Sequence, residues 1–322
     1  MQKPAFDPGL TQQVTGSLRR AINQDGSFNV LRRGTSWRDI HPYLYLINAS
    51  WAEFLSLVLA AYVVVNIIFA FVYFALPPAQ LVGINASTPF SRLLDDFFFS
   101  SHTLTTVGYG NFAPAGVLAN SIAAFEALVG LMGFALATGL LFGRVAKPSA
   151  KIGFSGRALI TPYQDRTSLQ FRIVNQRSNV LIELKVVAIL MLVDGSSGAP
   201  TRQFSTLTLE RDYVLFFPLT WTVVHPIDES SPLYGKTAAD LDRLQAEVLI
   251  LIKAFDDTFS QTVNARYSYR YDEIEWGAKF SPAFHIDEKG EMVLDVDQVG
   301  NSLNLAASGR EDAQMKNSGT SA

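Results

Sequence analysis

The chain has 322 residues, of which 48% are hydrophobic and 17% charged, with a formal net charge of -3, four histidines and no cysteine. Soluble domains carry about 25% charged residues, so this deficit indicates a membrane-embedded protein. The lack of cysteine excludes disulfides and thiolate chemistry, the scattered histidines argue against a histidine-rich metal site, and the near-neutral charge argues against a nucleic-acid partner.

The N-terminal region is polar and rich in arginine, which is not the pattern of a cleaved secretory signal. Residues 1–34 are assigned to an N-terminal cytoplasmic segment. Residues 35–50 then predict an interfacial helix on the inner leaflet, with one apolar face formed by Trp37, Ile40, Tyr43, Leu44 and Ile47. The alternative is an amphipathic helix packed on a soluble domain. Pro42 predicts a kink in this helix or a later start.

Two long apolar segments predict membrane-spanning helices. The first, Phe54 to Leu76, has about 23 residues without a charge, enough to cross about 30 Å of hydrocarbon. The second, Val117 to Gly143, contains a single ionisable residue, Glu126. Arg92 is the single basic residue between the spans, whereas several follow the second span, so both termini are expected in the cytoplasm. The transmembrane domain is assigned to residues 51–147; two core helices of a soluble protein are the alternative.

Between the spans lies PFSRLLDDFFFSSHTLTTVGYG, a short apolar segment followed by a glycine-containing loop. The segment is too short to cross the membrane and predicts a half-helix that enters and leaves on one side. Non-helical backbone at that depth must be enclosed by protein or line a water-filled path. No Lys-Ser/Thr pair follows the glycines, which argues against a phosphate-binding loop.

TVGYG is the pentapeptide of potassium-channel filters, in which four loops replace the hydration shell of the ion with carbonyl oxygens. Gly108 and Gly110 permit backbone dihedrals that other residues avoid, so successive carbonyls can face one axis. We predict a homotetramer, because one chain supplies one quarter of the ring. Bound potassium ions are expected at the carbonyls of Thr106, Val107, Gly108 and Tyr109.

After residue 147 the chain changes to short alternating segments, separated by the turn signals DGSSG, ESSP and DEKG, which predicts a β-sandwich over residues 148–300. Residues 301–322 are assigned to a disordered tail. In HPIDESS, His225, Asp228 and Ser231 are too close in sequence to converge easily as a catalytic triad. We therefore expect a turn held by side-chain hydrogen bonds. The predicted strands are ALITPY, LQFRIVNQ, LIELKVVAILMLVD, RQFSTLTLE, LFFPLTWTVVHPI, AEVLILIKAF, TVNARYSYR and EMVLDVD.

The TTVGYG loop, a second span ending in GRVAKP, and a strand-rich domain with FFPLTWTVVHPIDESSPLYG and ARYSY together resemble a bacterial inward-rectifier potassium channel. The resemblance runs from about Thr35 to about Asp297. It implies an α+β membrane protein of the inner membrane with two transmembrane helices, a re-entrant pore helix and filter loop, and a cytoplasmic immunoglobulin-like β-sandwich. It further implies passive K+ conduction, no enzymatic activity, and no cofactor other than bound potassium ions.

By motif position, the resemblance also assigns roles to single residues. Phe142 matches a hydrophobic constriction at the helix crossing, and Glu183 matches an acidic residue lining a cytoplasmic vestibule. The loop from Asp257 to Val263, which includes Ser260, matches one that narrows the top of the vestibule. Candidate hinges for the bending of the second span are Gly130, Gly133 and Gly139.

Strong rectifiers carry an acid in the pore cavity, where this chain has Phe134. Rectification should therefore be weak unless Glu126 or Glu183 substitutes for that acid. A carboxylate within a membrane span is a functional candidate, so Glu126 is assigned with Phe134 to the pore cavity. The alternative is a hydrogen-bonded strut behind the pore helix.

Eukaryotic relatives brace the filter with a Glu/Arg pair, and this chain has His102 and Phe112 at those places. Because histidine titrates near neutral pH, His102 suggests a pH-sensitive filter.

Arg144, Lys147 and Lys151 follow the second span and predict a site for anionic phospholipid head groups, at about 1 kcal/mol per charge. The alternative is that these charges serve topology alone. Two other functions stay open at this point, a membrane-anchored sensor with a non-conducting pore and a non-selective cation channel. The intact TVGYG argues against both.

Overall fold

The computed structural model describes residues 7–10, 20–31, 33–34, 41–147, 150–194 and 200–304. The chain forms two compact units, a helical unit of residues 32–147 and a β unit that joins residues 1–31 to residues 148–322. The helical unit is thus inserted into the sequence of the β unit.

The helical unit is built from four helices within residues 41–147, and a short strand pair links the segments beside α3. Prolines occupy the first turns of α1 and α3, where a missing N–H leaves no hydrogen bond unmade. Ser50 and Glu53 form a capping box that starts α2, and Thr88 and Ser91 form one that starts α3. The elements are α1 Pro42–Asn48, α2 Trp51–Phe74, β1 Leu81–Val82, α3 Pro89–Leu104, β2 Ala113–Pro114 and α4 Val117–Val145.

Helices α2 and α4 are long and apolar enough to cross a membrane, at 24 and 29 residues. Only 11% and 6% of their most apolar stretches are buried within the chain, unlike the core helices of a soluble protein. Helix α2 begins three residues before the predicted span, because the capping box at Ser50 sets its start, and ends two residues before the predicted end. Helix α4 begins at the predicted Val117 and ends two residues later than predicted. Helix α1 begins at Pro42, and the predicted positions Trp37 and Ile40 lie outside the described residues.

The β unit contains two five-stranded sheets, which agrees with the predicted sandwich. One has the order β11-β10-β6-β7 with β8 paired to β6, and the other has the order β12-β4-β5-β3 with β9 paired to β5. The strands, with one helix α5 at Ala238–Arg243, are β3 Ile152–Phe154, β4 Ala158–Tyr163, β5 Arg166–Asn175, β6 Leu181–Asp194, β7 Thr201–Leu207, β8 Tyr213–Phe217, β9 Thr220–Ile227, β10 Glu247–Asp256, β11 Gln261–Arg270, β12 Ile274–Trp276, β13 Ala278–Phe280, β14 Phe284–Ile286, β15 Met292–Leu294 and β16 Ser302–Asn304.

The core of the β unit follows from the alternation of its long strands. In β6 from Leu184 to Leu190 and in β10 from Ile250 to Asp256, buried side chains alternate with more exposed ones, as the two-residue period of a strand requires. The inward residues of both sheets form one buried cluster, which includes Phe171, Leu184, Leu190, Ile250 and Tyr269. This cluster holds the strands on which the acidic candidate residues are placed.

Two boundaries differ from the sequence prediction. The segment LFFPLTWTVVHPI forms two strands, β8 and β9, interrupted at Pro218 and Leu219. Strand β16 pairs with β13, so the assignment of a disordered tail from residue 301 is wrong for Ser302–Asn304. The rest of that tail lies outside the described residues.

Residues 20–29, here named the N-terminal strap, pack on the β unit and are not a separate segment. Ile22 and Phe28 form a β-bridge, and Ile22 is buried against Met191, Phe204 and Leu249. The sequence NQDGS between the bridge partners is a turn signal that sequence reasoning did not use.

Charged groups fix the strap at its first residues. Arg20 forms an ion pair of 2.6 Å with Glu273 and donates to the backbone oxygen of Ser268. The backbone N–H of Ala21 donates to both carboxylate oxygens of Glu247, at 3.0 Å each. The strap therefore belongs to the β unit, and the chain enters the helical unit only after it.

Candidate functional site

The TVGYG loop follows directly on the C-terminus of α3. The carbonyl of His102 accepts hydrogen bonds from the N–H groups of Val107 at 2.9 Å and Gly108 at 3.3 Å. Every second residue has a positive φ, namely 59° at Thr106, 55° at Gly108 and 84° at Gly110. Left-handed dihedrals at alternate residues rotate alternate peptides relative to a regular strand, which allows successive carbonyls to share one side.

The side chains beside this loop are aromatic. The ring of His102 meets the ring of Tyr109 edge-on at 4.8 Å between centroids, and it stacks on Phe112 at 6.2 Å. The two predicted bracing positions are thus in contact, but through ring packing instead of a charge pair. The pH sensitivity suggested for His102 stays a prediction.

Glu126 is fully buried among α2, α3 and α4. Its Oε2 accepts from the Tyr73 hydroxyl at 2.6 Å, and its Oε1 lies 2.5 Å from Ser100 Oγ. The assignment of Glu126 to the pore cavity is therefore corrected to the alternative, a strut behind α3. The sequence showed the carboxylate but not the partners, which lie 53 and 26 residues away.

An apolar groove of about 910 Å³ runs along α2 and α4 and reaches the start of the TVGYG loop at Thr106. Phe134 lines it, whereas Glu126 does not. Phe134 and Phe142 are 75% and 73% exposed, although both are large aromatic side chains on an apolar helix. Surfaces of this kind are available for contact with lipid or with further copies of the chain.

The three glycines proposed as hinges have different surroundings. A Cβ on Gly130 would lie 1.9 Å from the backbone oxygen of Leu104, whereas Gly133 and Gly139 have nothing within 4 Å. Helix α4 is continuous through all three. Gly130 thus permits the close approach of α4 to the end of α3, and the hinge role of the three glycines stays a prediction.

The comparisons with known proteins match both units. Residues 152–318 match the family described as inward rectifier potassium channel C-terminal domain, and residues 61–147 match the family described as ion channel. The chain is 38% identical over 293 residues to the inward rectifier potassium channel Kirbac3.1 of Paramagnetospirillum magnetotacticum, covering 88% of this chain and 97% of that protein. The chain belongs to the inward rectifier potassium channel family.

More distant relatives in this family are the G protein-activated inward rectifier potassium channel 3 of mouse and of human. Each is 24% identical, over 89% of this chain and 79% of that protein. The predicted fold class and the resemblance to bacterial inward rectifiers are confirmed. The family is one of potassium channels and not of enzymes, and the two apolar helices agree with a protein of the membrane.

In this inward rectifier, the basic residues at and just beyond the C-terminal end of α4 do not all face outward. Arg144 donates through its two terminal nitrogens to the backbone oxygens of Leu46 and Ala49, the latter at 2.7 Å. Its guanidinium lies over the rings of Trp51 at 4.8 Å and Phe54 at 4.6 Å. Arg144 therefore caps the C-terminal end of α1, where carbonyls lack partners, and its assignment to lipid head groups is corrected.

We call the contact between these helices the α1–α4 latch. It consists of α1 and Ala49 on one side and of Gly143, Arg144 and Lys147 on the other, and two further contacts contribute to it. A Cβ on Gly143 would lie 3.2 Å from Ile47, so glycine permits the close approach. Lys147 donates to the Asn48 side chain but is otherwise exposed. Lys151, in the β unit, is also exposed. The lipid prediction thus rests on these two lysines.

The acidic candidates of the channel's β unit lie on irregular backbone. Glu183 has a φ of 52° and lies where the β6–β10 register shifts, so a β-bulge directs its exposed side chain. Asp257 and Ser260 are exposed in the turn between β10 and β11. Sequence reasoning missed Asp256, which is buried and accepts from Thr258 N at 3.0 Å. An Asp side chain that accepts from the backbone N–H two residues later forms an Asx turn, and Asp is common in turns for this reason.

The HPIDESS segment forms the predicted hydrogen-bonded turn. His225 Nδ1 lies 2.6 Å from the backbone oxygen of Thr208, and Nε2 lies 2.8 Å from the Ser231 hydroxyl. A carbonyl can only accept, so the ring proton is on Nδ1, and Nε2 accepts from Ser231. Burial lowers the pKa of His225 below its ordinary value of 6.5. The ring is therefore held neutral.

We expect the thermal midpoint of the full-length channel in detergent to fall as pH decreases from about 7 to about 5, in part because of His225. The unfolded chain binds a proton at His225 more readily than the folded chain does. The contribution of neutral His225 to the free energy of unfolding is therefore fully present above pH 6.5 and decreases below it. Each pKa unit of lowering corresponds to about 1.4 kcal/mol. His225→Gln should reduce the pH dependence, and an equal pH dependence in His225→Gln and wild type would contradict this account.

Proposed function

We propose that the protein is a homotetrameric, K+-selective channel that conducts passively across a bacterial inner membrane, with both termini in the cytoplasm. The observation that carries the proposal is the alternation of left-handed dihedrals at Thr106, Gly108 and Gly110 directly after a helix. Such backbone can present a row of carbonyl oxygens, which replace water around a dehydrated potassium ion. The C-terminal end of α3 also directs its partial negative charge towards the start of the loop.

Four chains are needed because one loop supplies only part of the coordination of an ion. The exposure of Phe134 and Phe142 supports such an assembly, since these side chains have few neighbours within one chain. In the tetramer, the four Phe142 rings would narrow the path at the inner end of α4 and act as the gate. Glu183 and the turn with Asp257 and Ser260 would give the cytoplasmic path its negative charge.

Anionic phospholipid is the proposed modulator. Lys147 is exposed just after α4, the helix that carries the proposed gate residue Phe142. The positive charge of Lys147 would attract a lipid phosphate. A phosphate bound to Lys147 would lie near Arg144 and would so alter the contact between α1 and α4. Lys151, which is exposed, is a further candidate for contact with a lipid phosphate.

We expect purified protein in potassium-loaded liposomes to take up rubidium in a barium-sensitive manner that excess sodium does not reduce. Light scattering should give the mass of a tetramer before reconstitution, and titration with anionic lipid should change the rate.

The matched control is Gly108→Ala. Nothing lies within 4 Å of a Cβ at Gly108, so the variant should assemble, but its φ of 55° disfavours alanine. Its selective uptake should be lost. Absence of uptake by the tetrameric wild type in every lipid mixture would overturn the proposal, and equal uptake by Gly108→Ala would overturn the assignment of the filter.

A further inference from the structure

Four fully buried side chains join the three long helices of the helical unit. They are Asn66 and Tyr73 on α2, Ser100 on α3 and Glu126 on α4, and each is 0% exposed. We call them the buried polar cluster. Ser100 lies two residues before His102, whose carbonyl holds the N–H groups of Val107 and Gly108. The cluster is thus connected to the proposed filter through the last turn of α3.

The orientation of Asn66 is fixed by a backbone oxygen. Its Nδ2 donates to the Tyr62 carbonyl at 2.8 Å, so its Oδ1 faces Ser100. The reversed amide would bring two acceptors together at that distance. Asn66 therefore presents only an acceptor to the Ser100 hydroxyl.

The hydrogen atoms in the cluster can then be counted. Ser100 Oγ lies 3.0 Å from Asn66 Oδ1 and 2.5 Å from Glu126 Oε1. A hydroxyl carries one hydrogen and cannot donate fully to both acceptors. If Glu126 carries a proton on Oε1, it donates to Ser100, Ser100 donates to Asn66, and Tyr73 donates to Oε2. Every contact in the cluster is then a hydrogen bond.

The charges around the cluster favour the same state. Tyr73 faces Glu126 from α2 with a hydroxyl, and within the described residues no Lys, Arg or His lies within 4.0 Å of the Glu126 carboxylate. On α3, Arg92 is 3.8 Å from the buried Asp96, and His102 packs on Tyr109. An ionised carboxylate buried without a cation is costly, so such a group stays neutral.

We propose that Glu126 is a protonated carboxylic acid whose hydrogen bond to Ser100 positions α3 and the filter for conduction. The role in conduction rests on the proposed function, whereas the protonation does not. Glu126 is a positioning residue, since it touches none of the carbonyls assigned to potassium.

The decisive variant is Glu126→Gln. A glutamine amide donates through nitrogen to Ser100 and accepts through oxygen from Tyr73, which reproduces the hydrogen-bonding pattern of the protonated acid. Its rubidium uptake should lie within about twofold of wild type. Glu126→Ala leaves Ser100 and Tyr73 without this partner, and its uptake should fall by about tenfold or more.

Alkaline pH separates this role from simple packing. Deprotonation leaves Ser100 between two acceptors, so wild-type uptake should fall as the pH is raised, while uptake by Glu126→Gln should not. Uptake by Glu126→Gln as low as that of Glu126→Ala, or an equal alkaline loss in Glu126→Gln and wild type, would overturn the positioning role.

Infrared spectroscopy tests the protonation without any flux. The purified wild type at neutral pH should have a carboxylic-acid C=O band that disappears in Glu126→Gln and persists in Asp96→Asn. Absence of a Glu126-dependent band would overturn the proposal even if the channel conducts. A Glu126-dependent band in a protein without flux would leave the protonation supported and the proposed function refuted.

Discussion

Replacement of Gly130 by alanine is expected to abolish rubidium uptake. The added Cβ would lie 1.9 Å from the oxygen and 2.8 Å from the carbonyl carbon of Leu104. This obstacle is backbone at the end of α3, and it cannot rotate away as a flexible side chain could. Helix α4 must then separate from the residue after which the filter loop begins. Overpacking of this kind costs about 1–3 kcal/mol, and the displacement reaches the proposed filter directly.

Gly133→Ala provides the control for this change. It lies about one helical turn further along α4, and a Cβ there meets nothing within 4 Å. Alanine favours helix over glycine by about 1 kcal/mol, so this variant should be at least as thermally stable as wild type. A Gly130→Ala protein with wild-type midpoint and uptake would refute the close-approach role.

We expect Arg144→Ala to release α1 from α4. The change removes two hydrogen bonds from a charged group, worth about 1.5–3 kcal/mol each, and the packing of the guanidinium on Trp51 and Phe54. Hydrogen exchange of the backbone over Pro42–Asn48 should accelerate, and uptake should lose its response to anionic lipid. Arg144→Lys should not restore either property, because an ammonium group cannot reproduce the planar fork that reaches both carbonyls.

Lys147→Ala distinguishes the latch from charge alone. Lys147 is exposed, and within the described residues its side chain makes one hydrogen bond, to Asn48, so its loss should leave hydrogen exchange of α1 nearly unchanged while weakening the lipid response. If both variants accelerate exchange equally, Arg144 has no special part in the latch.

The sequence predicted the features that are encoded locally. The apolar helices follow from long stretches without charge, the loop with left-handed dihedrals after α3 from the glycines of one pentapeptide, and the sandwich from two-residue alternation. Strands such as β12 and β13 escaped prediction because three residues give no periodicity. The first helix was expected from residue 35, and Pro42 marks where the structure begins it.

The environment of single polar residues could not be predicted in the same way. Glu126 and Arg144 each stand out in an apolar sequence, and each suggested contact with ions or lipid. Their partners come from other helices, so only the fold identifies them. The carbonyls that Arg144 binds become acceptors only because α1 ends beside α4, and no sequence pattern announces that ending.

Because the helical unit is inserted into the sequence of the β unit, both of its ends are covalently joined to that unit. The peptide chain passes between the units twice, after Leu31 and before Pro148. The strap before the first passage is held on the β unit by the ion pair of Arg20 with Glu273. The first passage leads to α1 and the second follows α4, and Arg144 connects these two helices. One cut would release a unit that is joined to the rest of the chain by a single passage, whereas a unit joined by two passages stays attached. A proteolytic cut between Gly34 and Pro42 would therefore leave the two units covalently connected through the passage before Pro148.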